Sequence, residues 1–388
     1  MLATGNNEQG MSAKDRHPEP EPPEHDEVLL RDPDDDEAPR VEFRRRHVAL
    51  FLVFIVATLA FLYYVLPQIA GLEDTWQRIE RGGDPLWLFV ALLCTFGTFA
   101  GYVVLFQAVF VKPGSPIDLR ASYQITMAGL AATRLFGAGG VGGIALTAWA
   151  LRRSGMPRRE IADETLAFLI LLYGIYTLAL VVLGLGLRTG VLAGPAPFGV
   201  TVVPAIFGAI AMAVALMLAW VPTDLQRRLD RAIQGGGRLA RIAVRVSNAP
   251  AAFSAGLRSA LAHVRAGDPA LVGSIAFWFF NIAILWASFH AFGHAPSIWV
   301  IAMGYWVGML GNLLPLPGGI GGVDGGMIGA FTAFGVDFGL ATVAVLVYRA
   351  FAFWLPTIPG AIAYFQLRKT VRRWTLQRRE GKLAPAGA

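Results

Sequence analysis

Six long apolar runs set the rhythm of the chain: about His47–Leu66, Leu86–Val111, Ile161–Leu187, Phe198–Trp220, Ala270–Gly293 and Leu340–Gln366. Each reaches the roughly 20 residues that a helix needs to cross a bilayer. Two further apolar regions are broken. Leu313-Leu314-Pro315-Leu316-Pro317-Gly318-Gly319-Ile320-Gly321-Gly322-Val323-Asp324 holds two prolines and a glycine cluster, which forbid a continuous helix. Backbone groups freed there must be buried in protein or line a wet cavity, because lipid cannot pair them. The other broken region, between Ile117 and Leu151, predicts two arms, about Ala121–Phe136 and Gly142–Leu151. Both arms are short for a full crossing.

The two breaks are related. Gly139-Gly140-Val141-Gly142-Gly143 recurs as Gly318-Gly319-Ile320-Gly321-Gly322 at an offset of 179 residues, and at that offset Gly129 falls on Gly308. Matches in register, with long helices on either side, read as an internal duplication. Broken segments at corresponding places in two halves point to a transporter binding site.

Charge then orients the spans. Arg44-Arg45-Arg46 precede the first run, which predicts an uncleaved anchor with a cytoplasmic N-terminus. Lys112 and Arg120 precede the first broken segment, and Arg152, Arg153, Arg158 and Arg159 follow it, so both its ends face the cytoplasm. Arg368, Lys369, Arg372 and Arg373 place the end of the last run inside as well. Residues 297–336 must then cross an even number of times. The prediction is an all-α polytopic membrane protein: six full spans and an inverted repeat with two re-entrant hairpins, one opening inward and one outward. Its halves cover about 86–187 and 270–366 within a membrane domain of 44–370.

Composition refines this picture. The chain is 55% hydrophobic and 15% charged, as expected of a polytopic membrane protein. Residues 1–40 carry 12 Asp/Glu against 4 Lys/Arg, whereas the remainder is net basic. Residues 1–43 therefore read as a solvated acidic tail, and 371–388 as a second cytoplasmic tail. The basic loop 222–268 contains Leu225, Leu229 and Ile233 at helical spacing beside Arg227, Arg228 and Arg231, a surface helix for anionic lipid head groups rather than nucleic acid. Cys94 is the single cysteine. His290 and His294 share i,i+4 spacing but have no carboxylate partner in a metal motif, so neither metal nor cofactor is expected.

Arg134-Leu135-Phe136-Gly137-Ala138-Gly139-Gly140-Val141-Gly142-Gly143, with Leu151-Arg152-Arg153-Ser154-Gly155, resembles the first signature of the lysylphosphatidylglycerol synthase transmembrane (flippase-like) family. Leu314–Asp324, with Tyr348-Arg349 and Phe353-Trp354-Leu355-Pro356, is similar to its second. The resemblance covers about 47–370. Asp324 stands where the family usually has Glu, and Phe136-Gly137 where many members have Pro. The resemblance implies paired re-entrant hairpins and movement of phospholipids between leaflets of the inner membrane. The chain stops at Ala388 without the soluble aminoacyl transferase of bifunctional members, so no enzymatic activity is expected.

The candidate substrate-binding residues are Arg134, Gly139, Gly140, Gly142, Gly143, Asn312, Gly318, Gly319, Gly321, Gly322, Asp324 and Arg349. Arg134 and Arg349 lie at membrane depth, where charge is expensive, and could hold a lipid phosphate. Arg349 has an equal alternative, an internal ion pair with Asp324. Asp324 is expected first as a helix cap. The glycines suit an anionic group at half-helix N-termini and equally suit close helix packing. Asn312 and Thr133 read as hydrogen bonders that stabilise the hairpins, and Asp163 and Glu164 as dipole partners at the start of the 161–187 helix. Two rival functions fit the same pattern: an ion-coupled transporter of a small soluble anion, and an accessory subunit of an envelope lipid or glycan enzyme. Self-association is compatible with all three.

Overall fold

The computed structural model describes residues 82–136, 141–219, 253–314 and 319–381. The acidic tail, the expected span 47–66 and the surface helix around 225–233 lie outside the described residues. Within them the chain is helical: α1 Pro85–Phe110, α2 Leu119–Phe136, α3 Val141–Arg153, α4 Arg158–Arg188, α5 Phe198–Ala219, α6 253–265, α7 Pro269–Phe292, α8 Ile298–Met309, α9 Gly322–Ala333, α10 Phe338–Arg349 and α11 Leu355–Arg379. A 3-10 turn, Leu310–Leu313, extends α8, and a π-helical turn, Ala350–Trp354, joins α10 to α11. Five helices are long and apolar enough to cross a membrane: α1, α4, α5, α7 and the continuous α10–α11 rod. The protein is an all-α membrane protein.

Local signals explain where the helices begin. Asp84 caps α1 through the Leu86 N–H at 2.9 Å, with Pro85 at the first position, where a missing donor costs nothing. Ser297 and Asp337 cap α8 and α10 in the same way. Thr and Ser hydroxyls within the spans, such as Thr95, Ser288 and Thr342, return to a carbonyl four residues back, which satisfies them without a partner helix.

The short helices form two hairpins. In the first, a Cβ on Gly129 would lie 3.1 Å from Thr147 Oγ1, and Gly143 abuts the Gly129 carbonyl. In the second, a Cβ on Gly326 would lie 3.2 Å from Gly308 Cα, and Gly311 abuts Gly322. The antiparallel crossings thus fall at the positions the sequence offset pairs, Gly129 with Gly308 and Thr147 with Gly326. Small residues let the backbones approach where dispersion, rather than hydrophobic burial, holds helices together.

The hairpins open toward opposite ends of the bundle. Lys112, beyond α1, forms an ion pair with Glu160 and reaches Glu164 at 3.3 Å, both at the start of α4, so the ends of the first hairpin share one face. Partial burial pulls the Lys112 ammonium pKa down, but hydrogen bonds and charge from the two glutamates outweigh it and raise it. His263 of α6 joins the same face, 2.8 Å from Asp268 and 3.7 Å from Glu164, and Ser259 donates to Glu164 at 3.0 Å. Glu164 is therefore a junction of three elements, beyond the dipole role expected. At the other end, the Asp84 N–H meets the Ala291 carbonyl at 2.9 Å. There Ser297 donates to Ala193 O at 2.7 Å, and a shallow cavity is lined by Pro195, His294, Ser297, Phe334 and Asp337.

Helices α1 and α7 run antiparallel through the centre, with Gly101 against Gly273 and Phe277. Helix α11 packs along α2, with Gly360 against Met127 and Ala131. Helix α4 packs on α5 and α8. The aromatic seam around Trp278 ties α4, α7 and α8: its Nε1 donates to Leu172 O at 2.8 Å, its ring lies 4.6 Å from Trp306, and Tyr176 donates to Trp306 O. Helix α7 ends at Phe292, so His294 lies beyond it, while the His290 ring packs on Trp87 and Trp286.

Candidate functional site

The polar centre forms where the first hairpin meets the α10–α11 junction. Pro356 has no N–H, so the Ala352 carbonyl, four residues back, loses its helical donor. The π-helical turn just before it shifts the bonding register as well. Arg134, in the last turn of α2, occupies the place so freed. Its Nη2 donates to Ala352 O at 2.9 Å, and its Nη1 donates to Phe353 O at 2.8 Å and to Thr357 Oγ1 at 3.4 Å. Thr357 in turn donates to Phe353 O at 2.7 Å.

Arg349 takes the other resolution. Its Nε and Nη2 form a forked pair with Asp324, the Nη2 contact at 3.2 Å, and Nη2 also donates to Gly319 O at 3.1 Å. The side chains are 11% and 17% exposed, so the pair is largely shielded from solvent. Asp324 Oδ2 accepts the Gly321 N–H at 3.0 Å. Asp324 is thus the third residue of α9 reaching back to the cap position, half of a capping box rather than the cap itself. Gly321 has φ +83°, a left-handed conformation that favours glycine. Both guanidinium groups lie over the Phe353 ring, 5.0 Å for Arg134 and 4.9 Å for Arg349. Tyr348, beside Arg349, donates to Asn281 Oδ1 at 3.2 Å and packs against the buried Tyr305.

The structure brings together Arg134, Gly319, Gly321, Asp324 and Arg349. Gly143 and Gly322 lie in the hairpin crossings, and Gly142 stands beside Gly143 at the start of α3. Asn312 does not bond across its hairpin; its Nδ2 contacts Met309 Sδ at 3.8 Å, and its Oδ1 crowds Gly319. Thr133 likewise returns to its own helix, at Gly129 O. Gly139, Gly140 and Gly318 lie outside the described residues. Sequence reasoning missed the backbone acceptors at Ala352 and Phe353 and the hydroxyl of Thr357. Pro356 was the available signal, since a proline inside a helix always orphans one carbonyl.

Two cations and one carboxylate in the interior of an apolar bundle suit recognition of an anionic group. Fold and centre together define a polytopic helical membrane protein with an intramembrane polar site. Residues 47–360 match the family described as lysylphosphatidylglycerol synthase TM region, and the chain belongs to that family. A protein of Methanothermobacter thermautotrophicus described as a UPF0104 membrane protein is 25% identical over 337 residues, 83% of this chain and 96% of the relative. A second relative of the same description and organism is 38% identical over 90 residues, 23% of this chain and 27% of its own length.

Proposed function

We propose that this protein moves an amphiphilic lipid with an anionic head group between the leaflets of the inner membrane, without chemistry of its own. The observation that carries the reading is Arg134. Its hydrogen-bond partners among the described residues are neutral oxygens, so none of the carboxylates among those residues is bonded to this cation. A full charge at that depth is costly and calls for an anion. In this reading the hairpins are re-entrant and belong to an inverted repeat, as the matched crossings support. Rocking of the halves exposes the centre to each side in turn while the lipid tails stay in the bilayer. The basic face beneath the first hairpin meets anionic lipid in the inner leaflet, and both termini are cytoplasmic.

The test is transbilayer movement in reconstituted vesicles carrying a fluorescent phospholipid, with the outer leaflet bleached by dithionite. Wild-type protein is expected to expose the inner pool. Arg134→Lys, which keeps charge but loses the planar fork, is expected to slow the exchange, and Arg134→Gln to abolish it. Removing Arg134 also strands Ala352 O, at a cost of about 1–3 kcal/mol, so the comparison is made well below the variant's own melting temperature. Undiminished movement by folded Arg134→Gln protein contradicts the proposal.

A further inference from the structure

The charges of the polar centre do not balance. Both guanidinium carbons lie within 5.0 Å of the Phe353 ring centroid, so the two cations share one site. Asp324 neutralises one of them through the forked pair with Arg349. The electrostatic neighbours of Arg134 are Arg349 and the neutral phenols Tyr102 and Tyr348. Tyr305, which packs against Tyr348, is a buried phenol as well. Among the described residues the centre therefore carries two positive charges and one negative, a surplus of one. In a low-dielectric interior such a surplus is felt at full strength and is met by an equal and opposite charge, not an excess of it.

We infer that Asp324 sets the charge selectivity of the site: by neutralising Arg349 it leaves room for a single negative charge, so the head group is held through a monoanionic phosphodiester rather than a phosphomonoester dianion. This rests on the lipid-binding reading above. Asp324 acts as a specificity residue without touching the ligand. It fixes how many cations the ligand meets, and its own position is fixed by the Gly321 N–H. Phe353 is the positioning residue. Its ring holds the two like charges side by side, and its carbonyl anchors Arg134.

The experiment is native mass spectrometry of the full chain released from mixed micelles of defined lipid with identical dioleoyl tails. The probes are phosphatidylmethanol, the smallest phosphodiester; phosphatidic acid, a phosphomonoester; and diacylglycerol, which has no phosphate. At about pH 8.5, well above the second phosphate ionisation near 6, phosphatidylmethanol is expected to be retained at least about tenfold over phosphatidic acid. At about pH 5 phosphatidic acid is a monoanion and the gap is expected to close. Diacylglycerol is expected not to be retained. Asp324→Asn raises the surplus to two and is expected to reverse the preference at the higher pH. Equal or better retention of dianionic phosphatidic acid by wild-type protein overturns the inference, and that comparison stands even if Asp324→Asn fails to fold. Dimethyl phosphate, the same charge without tails, is expected not to displace retained lipid. Displacement by it, or retention unaffected by Arg134→Gln, overturns the lipid-binding reading itself and leaves the charge selectivity to be read from the soluble probe.

Discussion

Arg134 and Arg349 show two ways of keeping a guanidinium inside a bundle. Arg349 meets a carboxylate from a neighbouring helix, and that partner was legible: Asp324 is the nearest acidic residue on the facing segment. Arg134 meets backbone, and its acceptor at Ala352 lies 218 residues away in sequence. No pattern of side chains encodes such a contact; only Pro356 hints that a carbonyl is free. The pair with Asp324 makes a direct prediction. Arg349→Gln strands a shielded carboxylate and should lower stability by roughly 3–5 kcal/mol. Adding Asp324→Asn should restore much of the loss, although Gly321 then keeps a weaker, neutral acceptor. Denaturant unfolding of the single and double variants in detergent reads the coupling directly. Losses that simply add, with no rescue, would mean that the two side chains act independently.

At the scale of elements, the long spans were open to reading because hydrophobic length is written locally in the chain. Helix α11 was not. Its last 13 residues beyond Gln366 look like a basic tail, yet they continue the helix to Arg379. Leu367, Val371 and Trp374, at i, i+4 and i+7, are buried there at 0%, 4% and 5% exposure. Thr370 donates to Gln124 of α2 at 2.7 Å, and Arg378 to Arg153 O of α3 at 3.3 Å. Charge on one face masked a packing stripe on the other. The hairpin crossings give the prediction at this scale. A side chain at Gly308 would meet the Met327 backbone nitrogen at 2.8 Å, so Gly308→Leu must separate α8 from α9 and should cost at least about 1–3 kcal/mol. Gly329, on the same helix pair, has open space around it, and Gly329→Ala should stabilise the helix by about 0.5–1 kcal/mol. Thermal midpoints of the two variants moving in the same direction would show that the crossing does not set the hairpin's stability.

For the whole molecule, the claim that organises everything else is that two related halves stand in opposite senses around the shared polar centre. The positive-inside pattern motivates this proposal, which draws support from Lys112 with Glu160 beneath one hairpin and Ser297 with Asp337 around a common cavity at the other. Single cysteines in a Cys94→Ala background test it. Pro113 and Arg159 flank the first hairpin and are exposed; His294 and Phe338 flank the second and are exposed as well. In cells treated with a membrane-impermeant thiol reagent, cysteines at 294 and 338 should react from outside. Those at 113 and 159 should react only after the membrane is opened. Labelling of both pairs from the same side would contradict the inverted arrangement, and with it the alternating exposure of the Arg134 site.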